Sequence, residues 1–177
     1  MKPDKRKICQ VCCKTEQSAK PIRKKKKKKK SYGILGRIHV DLCGPLPNIG
    51  INGEKYFMPC VDEETRYCET YLLKRKSEAI IYFKKYKRKV ENITGKKVKI
   101  VKTDGGGEFG SKEFEEFLEN DGAVQIITNP ADHAENGIVE RMNRTLLKKA
   151  RAMLFHFNLD IRLCSIVPKL CEKRALL

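Results

Sequence analysis

The sequence lacks a long hydrophobic run, has only three histidines and contains too few acidic residues to balance its lysines and arginines. A membrane-spanning helix needs about 20 mostly apolar residues, and no segment approaches that length. The first ten residues contain no apolar segment of the kind that a signal peptide requires, so we expect an intracellular protein. A length of 177 residues is sufficient for one domain with a sizeable core.

Positive charge dominates the composition. Lysine and arginine total 39 against 22 acidic residues, which gives a formal net charge of +17. Eight consecutive basic residues, 23–30, belong to a low-complexity arm over residues 1–31, and the chain stays basic without them. This composition favours a polyanionic partner, with nucleic acid preferred over a membrane surface. The arm could serve nuclear import or non-specific phosphate binding, or be a repeat without function.

The chain has eight cysteines, which are expected to be reduced thiols in an intracellular protein. Cys9 and Cys12 have the spacing of zinc ligands, but a closed structural site needs four ligands, and none of the histidines precedes Cys9. Five other cysteines stand singly in apolar or mixed segments and are predicted to be buried free thiols: Cys43, Cys60, Cys68, Cys164 and Cys171.

The apolar pattern predicts three strands, a helix, a strand, a short helix, a strand and a long helix. Strands are expected within 34–43, 55–73 (two), 97–103 and 123–128, and helices over 76–95, 111–122 and 137–155. Ser77 is expected to be the N-cap of the first of these helices, and Gly95 is expected to end it. Three antiparallel strands followed by alternating strands and helices predict an α/β fold, a mixed sheet flanked by helices.

The last predicted helix carries two contrasting stripes. Its apolar residues recur at spacings of three or four and are expected to face the core: Val139, Met142, Leu146, Ala150 and Met153. The opposite stripe holds Glu140, followed by Arg144, Lys148 and Arg151. One acid followed by three bases is unlike an ordinary solvated face, although a plain charged face is the alternative.

Three acidic residues occupy positions that the predicted fold would bring together. Asp41 lies near the end of the first strand and Asp104 at the end of the fourth, so both would project from one sheet edge if these strands are neighbours. Glu140 lies in the first turn of the last helix. Three such carboxylates could not all remain ionised without cations, and hard oxygen ligands select Mg²⁺.

Several motifs carry a family resemblance. "HVDLCGP", "VDEETRY", "KSEA", "KTDGGGEF" and "NGIVERMNRTL" follow one another in the chain, with 35 residues between Asp104 and Glu140. In this order and spacing the chain resembles the integrase catalytic core of copia-type LTR retrotransposons, a member of the D-D-E family of retroviral-like integrases. The resemblance implies a ribonuclease H-like fold, in agreement with the predicted order of strands and helices.

The resemblance also implies an activity, which is DNA integration by metal-dependent polynucleotidyl transfer within a Pol polyprotein. Asp41 would bridge two Mg²⁺ or Mn²⁺ ions, while Asp104 and Glu140 would each complete one coordination shell. The three bases that follow Glu140 on the helix would hold the DNA backbone. The expected partners are the element's ends and target DNA, with a homo-oligomer as the active form, no membrane, and the nucleus as the place of action.

Three further residues are expected to lie behind the three carboxylates and contact them without binding metal themselves: His39, Glu108 and Asn136. His39 shares the face of Asp41 by strand alternation, Glu108 follows the glycines after Asp104, and Asn136 precedes the last helix. The glycines 105, 107 and 110 also spell G-x-G-x-x-G, so a dinucleotide-binding oxidoreductase using Asp132 is an alternative. Asp104 would place the wrong charge against a pyrophosphate there.

The chain departs from the family in several places. Gly105 stands where the family usually has asparagine, and His133, Ala134 and Glu135 replace a proline and glutamines. Cys9 and Cys12 match half of an amino-terminal zinc module. We therefore expect residues 1–31 to be an arm with a remnant of that module, 32–158 to be the catalytic core, and 159–177 to be a truncated segment that follows the core. In this last segment Cys164 stands where the family commonly has tryptophan. The alternative function is a catalytically inactive or domesticated nucleic-acid-binding protein with the same fold.

Overall fold

The computed structural model describes residues 31–128, 137–160 and 163. These residues form five strands and three helices. The strands are β1 (Arg37–Val40), β2 (Tyr56–Asp62), β3 (Cys68–Leu73), β4 (Ile100–Thr103) and β5 (Val124–Ile127); the helices are α1 (Ala79–Thr94), α2 (Lys112–Asn120) and α3 (Gly137–His156). The predictions for residues 1–30, including Cys9 and Cys12, and for His133, Glu135, Asn136, Cys164 and Cys171 lie outside the described residues.

The five strands form one mixed sheet in the order β3-β2-β1-β4-β5. The first three strands are an antiparallel meander, whereas β1 pairs with β4, and β4 with β5, in parallel. The α/β fold with a mixed sheet is therefore confirmed. Because β1 and β4 are parallel neighbours, their carboxyl ends meet at the same edge of the sheet.

Strand alternation gives the sheet two faces with different partners. Ile38 and Val40 of β1 belong to the larger core, which includes Phe83 of α1 and Phe114 of α2. The rings of Phe83 and Phe114 meet edge to face with centroids 5.3 Å apart. On the opposite face, residues of α3 pack against β2 and β3 in a smaller cluster: Val61, Cys68, Ile138, Val139 and Leu146. Helix α3 thus covers the face to which alternation directs His39 and Asp41.

The start of α1 differs from the sequence prediction. Ser77 lies exposed within a 3₁₀ turn over Lys76–Glu78, and the α-helix begins at Ala79. Glu78 Oε2 accepts a hydrogen bond from the backbone N–H of Lys74 over 2.9 Å. The longer carboxylate reaches back to a free N–H, so the prediction that Ser77 caps the helix is wrong. The predicted end at Gly95 is confirmed, because this residue adopts a left-handed φ of 65°.

The buried stripe of α3 is rotated from the predicted one. Its buried residues are Ile138, Val139, Asn143, Leu146, Ala150 and Leu154. Met142 and Met153, which were expected in the stripe, are only half-buried. Asn143 therefore faces the sheet although it is polar. Among the described residues, no helix is both long enough and apolar enough to cross a membrane.

Candidate functional site

Two carboxylates lie together at the edge of the sheet where β1 and β4 end. Asp41 directly follows β1 and is half-buried, and Asp104 directly follows β4 and is exposed. Burial, and next the negative charge of Asp104, raises the pKa of the Asp41 carboxyl above its usual range. The charge of Asp104 therefore disfavours the ionised form of Asp41, and a nearby cation would relieve the repulsion.

Asn143 holds the buried member of this pair. Its side-chain Nδ2 donates a hydrogen bond to Asp41 Oδ2 over 2.6 Å and lies 2.8 Å from Cys43 Sγ. The Cys43 thiol itself donates to Asp41 Oδ2 over 3.6 Å. These two donors oppose the rise in the Asp41 pKa that burial causes. Asp41 is thus fixed by a residue from α3 and by a neighbour from its own loop.

Sequence reasoning missed Asn143 and assigned Cys43 only a packing role. The available signal was a polar residue within the apolar stripe of α3, three positions after Glu140. Cys60 and Cys68 are buried free thiols, as predicted, whereas Cys43 is half-buried and contacts the carboxylate. Burial, and next the Asp41 charge, raises the pKa of the Cys43 thiol, so it stays protonated at neutral pH.

Glu140 is exposed on α3, one turn before Asn143. Residues three apart on a helix are surface neighbours, so Glu140 lies on the side of the helix next to the residue that contacts Asp41. Within the described ranges, however, no three histidine, cysteine, aspartate or glutamate side chains are grouped closely enough to hold a metal ion. The structure thus pairs Asp41 with Asp104 and leaves the Glu140 carboxylate outside a three-ligand group.

The described interactions of His39 and Glu108 do not reach the carboxylate pair. His39 is buried, and its Nε2–H donates to Glu63 Oε2 over 2.9 Å. Burial lowers the pKa of His39, which favours the neutral imidazole, while the Glu63 carboxylate opposes this effect. Glu108 uses its backbone carbonyl to accept from Ser111 Oγ over 2.9 Å, next to the start of α2. These contacts join β1 to the turn after β2 and shape the loop before α2.

The glycine loop after β4 is closed on itself. The N–H of Gly106 donates to Asp104 Oδ1 over 3.0 Å, and the N–H groups of Phe109 and Gly110 donate to the Gly106 carbonyl. A phosphate-binding loop offers such N–H groups to its ligand, whereas here they are already bonded. Gly105 has a φ of 72°, a conformation that glycine adopts without strain. The loop therefore gives no support to the dinucleotide-binding alternative.

The three predicted DNA-binding residues follow Glu140 along α3. Arg144 and Arg151 are exposed, and Lys148 is half-buried. In the part of the chain that the structure describes, none of the three has an ion-pair partner. Their charges are therefore not offset by an ion pair with any acid that the structure describes.

A mixed sheet in this order, covered by helices and carrying carboxylates at the ends of two adjacent parallel strands, defines a ribonuclease H-like α/β protein. The integrase core domain family model matches residues 34–133, more than half of the chain. The chain belongs to the integrase core domain family and is a copia-type integrase catalytic core.

One relative and one solved structure illustrate the similarity. Over 125 residues the chain is 38% identical to the retrovirus-related Pol polyprotein from transposon TNT 1-94 of Nicotiana tabacum. The match covers 71% of this chain and 9% of that polyprotein. The fold is similar to a chain in the cryo-electron microscopy structure of the simian T-cell lymphotropic virus intasome in complex with PP2A regulatory subunit B56 gamma. That similarity has a TM-score of 0.60 at 19% identity and covers 77% of this chain and 51% of that one.

Proposed function

We propose that the chain acts in DNA integration by metal-dependent polynucleotidyl transfer, as part of a retrotransposon Pol polyprotein. The observation that carries this proposal is the interacting pair Asp41 and Asp104 at the ends of two parallel strands. Family membership supports the same activity. The chain spans only 9% of the length of its curated relative, so 3′-end processing and strand transfer are proposed for the assembled polyprotein product.

The chemistry of the two carboxylates suits the binding of a divalent cation. Both ligands are hard oxygen donors. Burial, and next the charge of Asp104, raises the pKa of Asp41, and Mg²⁺ or Mn²⁺ would relieve the repulsion between the two carboxylates. When bound, such ions activate a water or a DNA 3′-hydroxyl and neutralise charge at the scissile phosphate. The donor set supports this assignment.

Each residue of the site has a proposed role. Asp41 and Asp104 hold the metal ions, and Asn143 keeps the Asp41 carboxylate in one orientation. Glu140 supplies the third carboxylate by turning towards the pair from the first turn of α3, where its exposed side chain is free to reorient. The proposal therefore requires a movement of the Glu140 side chain when metal binds.

The basic side chains that follow Glu140 on α3 hold the DNA. Arg144, Lys148 and Arg151 contact backbone phosphates, which positions the duplex without reading its sequence. They share the helix that carries Glu140, so a bound backbone would run past the carboxylates. We further propose that the active form is a homo-oligomer that holds element ends and target DNA in the nucleus.

A catalytically inactive DNA-binding protein is the second candidate. The observation that favours it is the absence, among the described residues, of a group of three metal ligands. If Glu140 cannot join the pair, the site would lack a complete set of carboxylates. In that case the basic residues of α3 would still bind DNA.

A nicking assay on duplex DNA with Mn²⁺ separates the two candidates. The unmodified chain should nick, and Asp41→Asn, Asp104→Asn and Glu140→Gln should each abolish the reaction. Glu119→Gln, an exposed acid on α2, is the matched control and should retain it. Nicking that survives Asp104→Asn unchanged would refute the catalytic role, whereas DNA binding without any nicking would favour the second candidate.

A further inference from the structure

A second basic surface lies on the other face of the sheet from α3. The carboxyl-terminal half of α1 and the neighbouring part of α2 enclose a groove of about 440 Å³. We call it the basic groove; its lining includes Lys84, Arg88, Lys96, Lys97 and Phe117 as well as the acids Glu91 and Asp121. Helix α1 ends just before the start of β4, and α2 ends just before the start of β5. The groove is therefore at the sheet edge opposite to Asp41 and Asp104.

A buried lysine binds the two acids in the wall of the groove. Lys87 is 1% exposed, and its Nζ bonds Glu91 Oε1 over 2.9 Å and also bonds Asp121 Oδ2. Glu91 accepts a further hydrogen bond from the backbone N–H of Val98 over 2.8 Å. These contacts tie α1 to the end of α2 and to the start of the next strand. Both acids are thus bound by Lys87, whose charge offsets one of their two, and the Asp121 side chain is 41% exposed.

Cations outnumber acids in the groove, with five lysines and arginines against Glu91 and Asp121. Arg88 and Lys96 have no ion-pair partner in the described ranges, and Lys97 is 73% exposed with its Nζ 3.6 Å from Glu91 Oε2. Lys84 lies 4.9 Å from the centroid of the half-buried Phe117 ring, and its other contact is the exposed Glu113. The left-handed turn at Gly95 ends α1 and directs the two following lysines to the groove.

We propose that the basic groove binds the phosphate backbone of nucleic acid, as a second contact surface separate from the basic side chains of α3. Lysines act as point charges towards phosphate, and an aromatic side chain beside them can pack against a sugar or base. The groove and the α3 stripe are on opposite faces of the sheet, so one chain can hold two DNA segments. This inference does not depend on metal binding or on nicking.

Lysine acetylation footprinting on the full chain tests the groove directly. The chain is acetylated with and without a saturating DNA duplex, and each lysine is quantified by mass spectrometry. We expect DNA to protect Lys84, Lys96 and Lys97. A local readout is needed because eight consecutive basic residues, 23–30, would add their own attraction for DNA to a simple affinity measurement. Equal acetylation of the groove lysines with and without DNA would overturn the proposal.

Two charge-matched variants extend the test. One carries Arg88→Gln, Lys96→Gln and Lys97→Gln; the control scatters the same loss of charge as Lys55→Gln, Lys74→Gln and Lys149→Gln, all of them exposed positions. The logarithm of the DNA-binding constant decreases linearly with the logarithm of the salt concentration. The magnitude of this negative slope should be smaller by about 2 to 3 in the groove variant, since each phosphate contact contributes about 0.9. The control should change less. Equal slopes in the two variants would contradict the groove.

Two further arms separate this inference from its alternatives. Replacing Arg144, Lys148 and Arg151 by alanine should leave the protection of the groove lysines intact. If protection disappears, the groove is not an independent surface and the inference fails. Poly-glutamate is the probe for an acidic protein partner: protection by poly-glutamate but not by DNA would also overturn the assignment.

Discussion

Replacing Asn143 by leucine should weaken metal binding while leaving the folding stability nearly unchanged. Asn143 is 7% exposed, and its Nδ2 donates to Asp41 Oδ2 over 2.6 Å. Its Oδ1 is buried without a hydrogen-bond partner in the described part of the chain. Leucine has the same branched heavy-atom outline but neither donor nor acceptor. The substitution therefore removes the hydrogen bonds that Nδ2 donates to Asp41 and, more weakly, to Cys43 Sγ, together with one unsatisfied acceptor.

The magnitudes of these two effects nearly cancel for folding. A hydrogen bond to a charged group contributes about 1.5–3 kcal/mol, and a buried acceptor without a partner costs about 1–3 kcal/mol. The free energy of unfolding should therefore change by less than about 1 kcal/mol. The Asp41 carboxyl, in contrast, loses a donor that lowers its pKa and also loses its fixed orientation. Loss of such a supporting contact reduces metal affinity by about 10–100-fold.

Three measurements separate the effects. Urea unfolding without metal gives the stability, calorimetric titration with Mn²⁺ gives the affinity, and carboxyl NMR gives the pKa of Asp41. We expect an almost unchanged unfolding midpoint, weaker Mn²⁺ binding and a higher Asp41 pKa in the Asn143→Leu chain. Asn120→Leu, the same substitution at an exposed position at the end of α2, should change none of the three.

Two outcomes would refute the reasoning. An Asp41 pKa equal to that of the unmodified chain would show that Asn143 does not stabilise the ionised carboxylate. A large loss of stability with unchanged Mn²⁺ affinity would make Asn143 a packing residue only.

Three further predictions concern stability. Lys87→Met should lower the free energy of unfolding by about 3 kcal/mol in urea titrations, because it leaves two acids without their buried partner, while the exposed Lys85→Met should have little effect; equal effects would exclude the buried bridge. Gly105→Ala should lower the free energy of unfolding by about 1–2 kcal/mol, because φ is 72° and the added Cβ would lie 2.5 Å from an isoleucine methyl. At Gly107 an added Cβ meets nothing within 4 Å, so Gly107→Ala should be nearly neutral. Similar melting temperatures for the two variants would contradict this prediction. Burial would raise the pKa of Glu69, but its lysine and tyrosine donors lower it overall, so Glu69 stabilises the fold above about pH 4.3 and this contribution disappears as pH falls through its folded pKa. Glu69→Gln should therefore destabilise the chain at pH 7 and much less at pH 3; a loss that is independent of pH would disprove the linkage.

Much of the fold was predictable because it depends on local patterns. Alternation of apolar residues located β1 and assigned Ile38 and His39 to opposite faces, and the meander followed from two runs joined by a short acidic turn. The glycine at position 95 marked the end of α1 correctly. The start of the same helix was missed because two side chains, Ser77 and Glu78, could each serve as the cap, and only the folded backbone brings one of them to a free N–H.

The sequence by itself determined which residues end the strands and which helix carries the third acid. The apolar pattern placed Asp41 near the end of the first strand, Asp104 at the end of the fourth and Glu140 in the first turn of α3, and the structure has them directly after β1, directly after β4 and in that turn. Only the tertiary structure decided what touches Asp41. Asn143 is 102 residues away along the chain, and its contact depends on how α3 crosses the sheet.

The rotation of α3 about its axis decided which of its residues are buried against the sheet. A helix can present either of two adjacent stripes to a sheet, and packing selected the stripe that buries Asn143 instead of the one containing Met142. The same holds for Lys87, whose partners on α1 and after α2 become neighbours only when both helices pack on one face. Local patterns fix the faces and ends of single elements, whereas contacts between elements follow from their relative placement in the folded chain.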